Sequence, residues 1–366
     1  MKRKLFRTWI CCAAAVCFLL FRISAVTAEA GGKKKQDEQA EDVFVTLGFA
    51  GDLNLSEGWE TTAELDRKKN GIRDCFSKKT IRDMRGFDIF MLNNEFTYST
   101  RGEPSAKSFT FRADPSRVDN LKTLGVDIVL TANNHINDYG RDAFLDTLKT
   151  LDDAGIRRVG AGKNLAEAAA PVYFELCGRK IAYVAASCAE EHEDTIWTTP
   201  ADEDSPGILG CYDPTAFYAA VREAAEQADF VIASVHWGYE YLEYYTAEQR
   251  EMAENLVYAG ADAVIGTHPH VLQGVEFVDG APVFYSLGNF WFNGEDLMSG
   301  MAELTLRLPA DPDEKVELAG TRFIPCTQYG LYTEEPENEW EREQVLQHMR
   351  DISFGTGIDA DGTVTK

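Results

Sequence analysis

The stretch A-V-I-G-T-H-P-H at residues 263–270 decides the fold and locates the site. Ala263 to Ile265 form a short apolar run of the kind that forms a buried strand. His268 and His270 follow it, one on each side of Pro269. Alternate side chains of an extended segment point to the same side, and proline restricts the backbone. The segment is therefore predicted to be extended and rigid, with two imidazoles converging on one metal ion or a close pair.

Four other polar motifs also follow β-like apolar runs. Carboxylates, an amide and imidazoles gathered at strand ends are the usual material of a two-metal site. Taken alone, each motif has an ordinary explanation, such as a helix cap, a solvated loop acid or a hydrogen-bonded histidine. Taken together they favour a metal site. The motifs are Gly51-Asp52, Asn93-Asn94-Glu95, Ala132-Asn133-Asn134-His135 and His236-Trp237-Gly238.

Apolar strands alternate with amphipathic helices from Val43 onward, which predicts an α/β fold. Ligands in open α/β sheets bind outside the carboxyl ends of the strands, where all five motifs are predicted to lie. The predicted helices are 139–154, 214–227, 247–259 and 335–349. The predicted strands are 43–50, 87–92, 126–131, 172–176, 181–186, 230–235, 263–265, 275–278, 283–286, 301–308 and 315–323.

Residues 1–28 are predicted to be an export signal. A basic start is followed by the apolar run from Ile10 to Phe21 and by the small-residue cleavage candidate Val26-Thr27-Ala28. Residues 29–42 are polar and predict a flexible linker. The protein is therefore expected to be secreted or associated with the cell envelope, with membrane contact only if the N-terminal segment stays uncleaved.

The chain is strongly acidic, with 36 Lys and Arg against 60 Asp and Glu and a formal charge of −24. Loss of the five basic residues before residue 28 would bring the charge to −29. Such a surface repels nucleic acid, which is therefore not a predicted partner. It also repels a polyanionic substrate unless metal ions make the site locally positive.

Five cysteines lie beyond the predicted signal, and their spacing fits neither a disulfide framework nor a zinc ribbon. Buried thiols are the favoured interpretation, and one or two disulfides remain open. These residues are Cys75, Cys177, Cys188, Cys211 and Cys326.

The motifs, in this order, resemble those of the CapA family of poly-γ-glutamate capsule proteins. Besides the five motifs, the resemblance rests on the longer H-W-G-Y-E-Y stretch at 236–241 and on Y-S-L-G-N-F at 285–290. The family is similar to the calcineurin-like metallophosphoesterases. The resemblance implies a four-layer α/β/β/α sandwich over residues 43–334, followed by a C-terminal helix and tail at 335–366.

The resemblance also implies roles. His135 becomes the candidate general acid, and Glu95 the bridging ligand of two divalent cations such as Mn, Fe or Zn. The D-x-H motif of metallophosphoesterases reads Asp52-Leu53-Asn54 here, and Glu95 stands where an aspartate is usual. The metal-ligand candidates are Asp52, Glu95, Asn134, His236, His268 and His270. The substrate-binding candidates are Asn54, Trp237, Glu240, Tyr241 and Asn289.

The function expected from the resemblance is the biosynthesis or processing of poly-γ-glutamate. The metal site would hydrolyse or transfer γ-glutamyl bonds, and the partner would be this anionic polymer or its synthesis machinery. Two alternatives stay open. One is a non-catalytic assembly or export component that grips polymer carboxylates, and the other is a secreted metallophosphoesterase or nucleotidase.

Overall fold

The computed structural model describes residues 41–189, 191–192, 195–196, 198–294 and 296–366. The predicted export signal and the predicted linker up to residue 40 lie outside the described residues. Within the described part of the chain, no helix is both long and apolar enough to cross a membrane.

A mixed sheet of eight strands forms one half of the fold. The long strand Val43–Leu53 lies near its centre and runs parallel to Ile89–Asn94 on one side and antiparallel to Leu297–Leu308 on the other. Asn289–Trp291 pairs in parallel with the end of the same strand. The other seven strands are ordered from edge to edge as Tyr332–Glu334, Glu317–Tyr329, Leu297–Leu308, Val43–Leu53, Ile89–Asn94, Ile128–Leu130 and Arg157–Val159.

A second sheet of six strands forms the other half. Its central strand, Phe230–His236, runs parallel to both of its neighbours. A hairpin that turns at Asp279-Gly280 joins the two strands at one edge. The order from that edge is Leu272–Val278, Ala281–Leu287, Ala263–Thr267, Phe230–His236, Arg179–Ser187 and Val172–Leu176.

The two sheets pack face to face over a shared apolar core. Alternate residues of one strand point to opposite faces, and both faces of the central strands are apolar. Ile89 and Met91 enter the core between the sheets, whereas Phe90 and Leu92 face the outer side of the first sheet. Ile232 and Ile265 meet them from the second sheet. This double-sided burial explains why the strands read as continuous apolar runs.

Helices cover the outer face of each sheet, which completes the four-layer α/β/β/α sandwich and confirms the predicted fold class. Leu65, Met84 and Leu121 pack on the first sheet, and Phe217 and Leu256 pack on the second. The helices are Glu60–Arg67, Lys78–Met84, Asp119–Leu124, Gly140–Ala154, Leu165–Ala169, Thr215–Gln227, Ala247–Ala259 and Glu339–Ile352.

The C-terminal helix Glu339–Ile352 is part of the main core. Its residues Val345, Leu346, Met349 and Ile352 are buried in the apolar core that both sheets share. A short ribbon of Gly357–Ile358 and Val364–Thr365 follows it. One compact unit therefore runs from Ala40 to Lys366 and includes this helix.

The cysteines divide into one disulfide and three thiols. Cys188 and Cys211 are bonded, so the interpretation of buried thiols is wrong for this pair. It is correct for Cys75 and Cys326, whose burial raises the pKa of each thiol to about 12. Cys177 is exposed.

Candidate metal centre

The ends of neighbouring parallel strands bring the first ligand candidates together. Asp52 lies opposite Asn93 on one side and Asn289 on the other. The backbone approaches closely here, because a Cβ atom built on Gly51 would lie 1.8 Å from the carbonyl oxygen of Gly288. Only glycine fits at that position. The Gly-Asp pair therefore has a geometric reason, which is to let the loop before Asn289 approach the Asp52 strand.

Two groups of buried side chains are arranged to hold metal ions, and Glu95 belongs to both. One group is Asp52, Glu95 and His270, and the other is Glu95, His236 and His268. Within each group the ligand atoms lie within 4.8 Å of one another. Glu95 Oε1 lies 3.7 Å from His236 Nε2 and 3.9 Å from His270 Nε2. A carboxylate shared in this way is suited to bridge two cations.

The two carboxylates of the centre lack enough partners within the protein. Asp52 Oδ2 and Glu95 Oε1 are buried and have no hydrogen-bond partner of normal geometry, although His270 Nδ1 lies 3.3 Å from Asp52 Oδ2. Burial, followed by the neighbouring Asp52 charge, raises the pKa of Glu95 well above its usual value. Two adjacent buried carboxylates with unpaired oxygens are costly unless a cation neutralises them. The donor set, which combines carboxylate oxygens with imidazole nitrogens, fits a divalent cation.

Asn93 holds both carboxylates in place. Its Nδ2 donates to Asp52 Oδ1 at 2.8 Å and to Glu95 Oε2 at 3.1 Å. Asn133 in turn donates from its Nδ2 to Asn93 Oδ1 at 3.0 Å. The sequence predicted a role for the glutamate of the N-N-E motif, but not this orienting role of its first residue.

His236 and Asn134 meet at the second group. His236 Nε2 lies 3.0 Å from Asn134 Oδ1 and 3.1 Å from His268 Nδ1. His236 Nδ1 lies 2.9 Å from Thr267 Oγ1, which fixes the ring orientation. Burial, with the nearby histidines adding to it, lowers the pKa of His236 well below its usual value. The imidazole is therefore neutral near pH 7, as a metal ligand must be.

The predicted extended conformation of the H-P-H segment is wrong. His268 has φ +99° and His270 has φ +60°, both in a region that side-chain-bearing residues rarely adopt. The two rings diverge, with centroids 6.1 Å apart, and each joins a different ligand group. Backbone bonds hold the strained turn, because Tyr241 N donates to the Pro269 carbonyl oxygen at 2.8 Å. Strain of this kind concentrates at functional sites.

His135 is held by a buried acid and a lysine. Its Nδ1 lies 2.7 Å from Asp138 Oδ2, and Lys107 Nζ lies 2.5 Å from Asp138 Oδ1. Lys107 Nζ also donates to the carbonyl oxygen of Asn134 at 2.6 Å. Burial lowers the pKa of His135, and the Asp138 charge opposes that shift. Asp138 was not among the residues predicted from the sequence, although its three-residue spacing from His135 is a usable signal.

A cleft of about 480 Å³ opens beside the centre. His135, His270 and Asn289 line its inner part, and Asn289 Oδ1 lies 2.8 Å from His270 Nδ1. Glu240 and Tyr241 also line it. Three of the substrate-binding candidates thus face this cleft. Its aromatic lining consists of Trp59, Phe109, Phe111, Tyr241 and Phe292.

Two substrate-binding candidates do not reach the cleft. Asn54 is fully buried, and its Oδ1 accepts from the backbone N of Ser56 at 2.8 Å. Trp237 is 2% exposed and donates from Nε1 to the Tyr285 carbonyl oxygen. Both side chains are buried, and neither is among the described residues that line this cleft.

The fold and site are those of an α/β/β/α sandwich with two candidate metal-ligand groups that share Glu95. The model of a family described as bacterial capsule synthesis protein PGA_cap matches residues 46–294, and the chain belongs to this family. This confirms the resemblance drawn from the motifs.

Two similar relatives come from bacilli. The PGA biosynthesis protein CapA of Bacillus subtilis is 32% identical over 71% of this chain and 75% of its own length. The capsule biosynthesis protein CapA of Bacillus anthracis is 32% identical over 51% of this chain and 45% of its own length. Among solved structures, a phosphatase of Mycoplasma pneumoniae aligns with a TM-score of 0.46 and 13% identity, over 78% of this chain and 94% of its own.

Proposed function

We propose that this protein is an exported enzyme of poly-γ-glutamate biosynthesis that hydrolyses or transfers γ-glutamyl bonds at a centre of two divalent cations. Membership of the capsule synthesis family supports the polymer and its synthesis machinery as partners. One observation carries the enzymatic part. His135, which is paired with the buried Asp138, lines the same cleft as His270. His270 belongs to one of the two ligand groups that share Glu95.

Each cation would have its own ligands. Asp52 and His270 would hold the first, His236, His268 and Asn134 the second, and Glu95 would contact both. This mixture of imidazole, carboxylate and amide suits Mn, Fe or Zn. Bound divalent cations supply Lewis acidity and lower the pKa of water at neutral pH.

The residues of the chain supply the proton and the positioning. Hydrolysis of an amide adds one water, so that the carbonyl carbon gains a hydroxyl and the leaving nitrogen gains a proton. His135 is placed to deliver that proton. Asp138 stabilises the protonated imidazole, and Lys107 fixes Asp138 while bonding to the backbone of Asn134.

The described residues that line the cleft include two carboxylates, Glu60 and Glu240, and no Lys or Arg. Sites that transfer phosphoryl groups place Arg, Lys or divalent cations on the phosphate oxygens, so a phosphoester would depend on the metal centre alone. The acid–histidine pair favours turnover over a site that only grips polymer.

Two features support export. Residues 1–28 have the composition of a secretory signal. The Cys188–Cys211 disulfide is of a kind that persists in oxidising compartments. Fractionation of the producing cell, with detection of the protein and of its N-terminal residue, tests this part.

The enzymatic proposal is tested by metal analysis together with turnover of γ-glutamyl oligomer and aryl phosphate. We expect the transition metals to co-purify and the oligomer to be cleaved. His348→Ala is the matched control for His135→Ala, because His348 is a partly exposed histidine on the C-terminal helix. Cleavage of aryl phosphate alone would establish the phosphoesterase alternative, and polymer binding without turnover would establish the assembly component.

A further inference from the structure

The cleft beside the metal centre combines aromatic walls with negative charge. Glu60 and Glu240 are both exposed carboxylates that line it. Trp59 stands between Phe109 and Phe111, with ring centroids 5.9 Å and 5.1 Å away. Aromatic faces and carboxylates together bind an ammonium group by cation–π and charge attraction. The same surface opposes a carboxylate.

Glu240 lies beside one of the ligand groups. It lines the cleft together with His270, which belongs to the group of Asp52 and Glu95. A substrate entering the cleft must therefore pass this charge close to the reacting bond.

The residues of a γ-glutamyl chain differ in net charge. Each interior residue carries one free α-carboxylate and a charge of about −1 near pH 7. The amino-terminal residue also carries a free α-ammonium, so its net charge is about zero. An acidic cleft therefore admits this end at a lower electrostatic cost than an interior segment.

We propose that the cleft selects the amino-terminal residue of a γ-glutamyl chain, with its α-ammonium placed among Trp59, Glu60 and Glu240. This inference rests on the proposed function and narrows its substrate. The bond broken is the amide between the γ-carbonyl of the first residue and the α-nitrogen of the second. Water adds across it, one glutamate is released, and the shortened chain keeps a new α-ammonium. The protein is thus an exo-acting enzyme.

The test compares free-amino tri-γ-glutamate with its N-acetylated form, using the full chain loaded with manganese. Each exposed charge pair contributes roughly 0.2–1 kcal/mol, or about 1.5- to 5-fold. With two carboxylates, kcat/KM should favour the free-amino oligomer by about 2- to 25-fold. Glu240→Gln should reduce that ratio by about 1.5- to 5-fold, and the Glu60→Gln, Glu240→Gln double variant should abolish most of it. Glu243→Gln is the matched control, since Glu243 is an exposed glutamate in the same loop and is not among the described residues that line the cleft.

Binding is measured separately by calorimetry with the manganese-loaded His135→Ala variant, which should bind without turnover. The wild type is used to follow the length of long polymer. We expect tighter binding of the free-amino oligomer, and release of glutamate before the polymer shortens appreciably. Equal turnover of both oligomers, or rapid mid-chain cleavage, would overturn the inference and leave the proposed function intact. Preferential binding of the free-amino oligomer without turnover of either oligomer would overturn the proposed enzymatic activity. It would leave the inferred selectivity of the cleft for the amino-terminal residue intact. Neither turnover nor preference would overturn both.

Discussion

Glu95→Gln should stabilise the metal-free protein and destabilise the metal-loaded one. In the metal-free state, Glu95 Oε1 is buried without a partner beside the Asp52 carboxylate. A buried group left unsatisfied costs about 1–3 kcal/mol, and a glutamine amide can instead donate to a neighbouring carboxylate. The substitution removes a repulsive charge while keeping the shape.

The size of the shift follows from the size of the domain. The compact unit runs from Ala40 to Lys366. At roughly 2.1 cal/mol/K per residue, its unfolding entropy is about 0.7 kcal/mol/K. The stabilisation of the metal-free variant by about 1–3 kcal/mol therefore corresponds to an increase of about 1.5–4.5 °C in Tm. For the wild type, manganese at 100 times its Kd adds about 2.7 kcal/mol per site, or about 4 °C. The variant loses most of that gain because Glu95 belongs to both ligand groups.

Calorimetry with chelator and then with manganese measures both effects. The variant should melt above the wild type without metal and below it with metal. The metal-free gain should also depend on pH. Folding raises the pKa of Glu95, so this carboxyl destabilises the wild type increasingly as the pH rises above the unfolded pKa of about 4.3. The increase in metal-free Tm on Glu95→Gln should therefore be larger at pH 8 than at pH 5. Glu243→Gln, on the surface, should shift neither melting curve. A lower metal-free Tm for Glu95→Gln, or an equal response of both proteins to manganese, would refute the reasoning.

Three further outcomes follow from the centre. His268→Ala and His270→Ala should each reduce bound metal by about one ion in elemental analysis, and the double variant should lose most of it, because the two rings join different groups; full metal content in the double variant would contradict the assignment. His135→Ala should keep its metal and lose turnover by ~10²–10⁴-fold in a γ-glutamyl cleavage assay, as expected for a proton donor; loss of metal would make His135 a ligand. Chelation should abolish association with poly-γ-glutamate in a pull-down, whereas moderate salt should not, because screening weakens exposed charge pairs and not buried ligation; the opposite pattern would indicate a basic docking surface.

The fold could be predicted from the sequence because its strands are buried on both faces. Such strands produce continuous apolar runs, and five of the predicted runs are followed by a recognisable polar motif. The helix Ala247–Ala259 was placed correctly because Thr246 and Gln249 form a capping box and Gly260 ends it in the left-handed conformation. Glu339–Ile352 was also predicted, but its contribution to the core depends on which face it buries.

The candidate site was less predictable in its details. The sequence H-P-H favours an extended backbone, and only the surrounding contacts force both histidines to positive φ. Lys107 comes from a loop far along the chain from Asn134 and Asp138, so its contact is tertiary and leaves no local pattern. The cleft aromatics Trp59 and Phe109 likewise meet through folding alone. The pairing of Cys188 with Cys211 could not be chosen from spacing among five cysteines.

The ligand candidates are divided between the two halves of the sandwich. Asp52, Glu95 and Asn134 follow strands of the first sheet, whereas His236, His268 and His270 belong to the ends of the second. Cations held between them would act as a non-covalent cross-link, because the sheets could not part until the ions left. Such a cross-link slows unfolding itself, and so raises the lifetime of the protein where proteases attack opened chains. The concentration of metal ions around the protein would then determine the lifetime of the folded molecule, independently of its turnover rate.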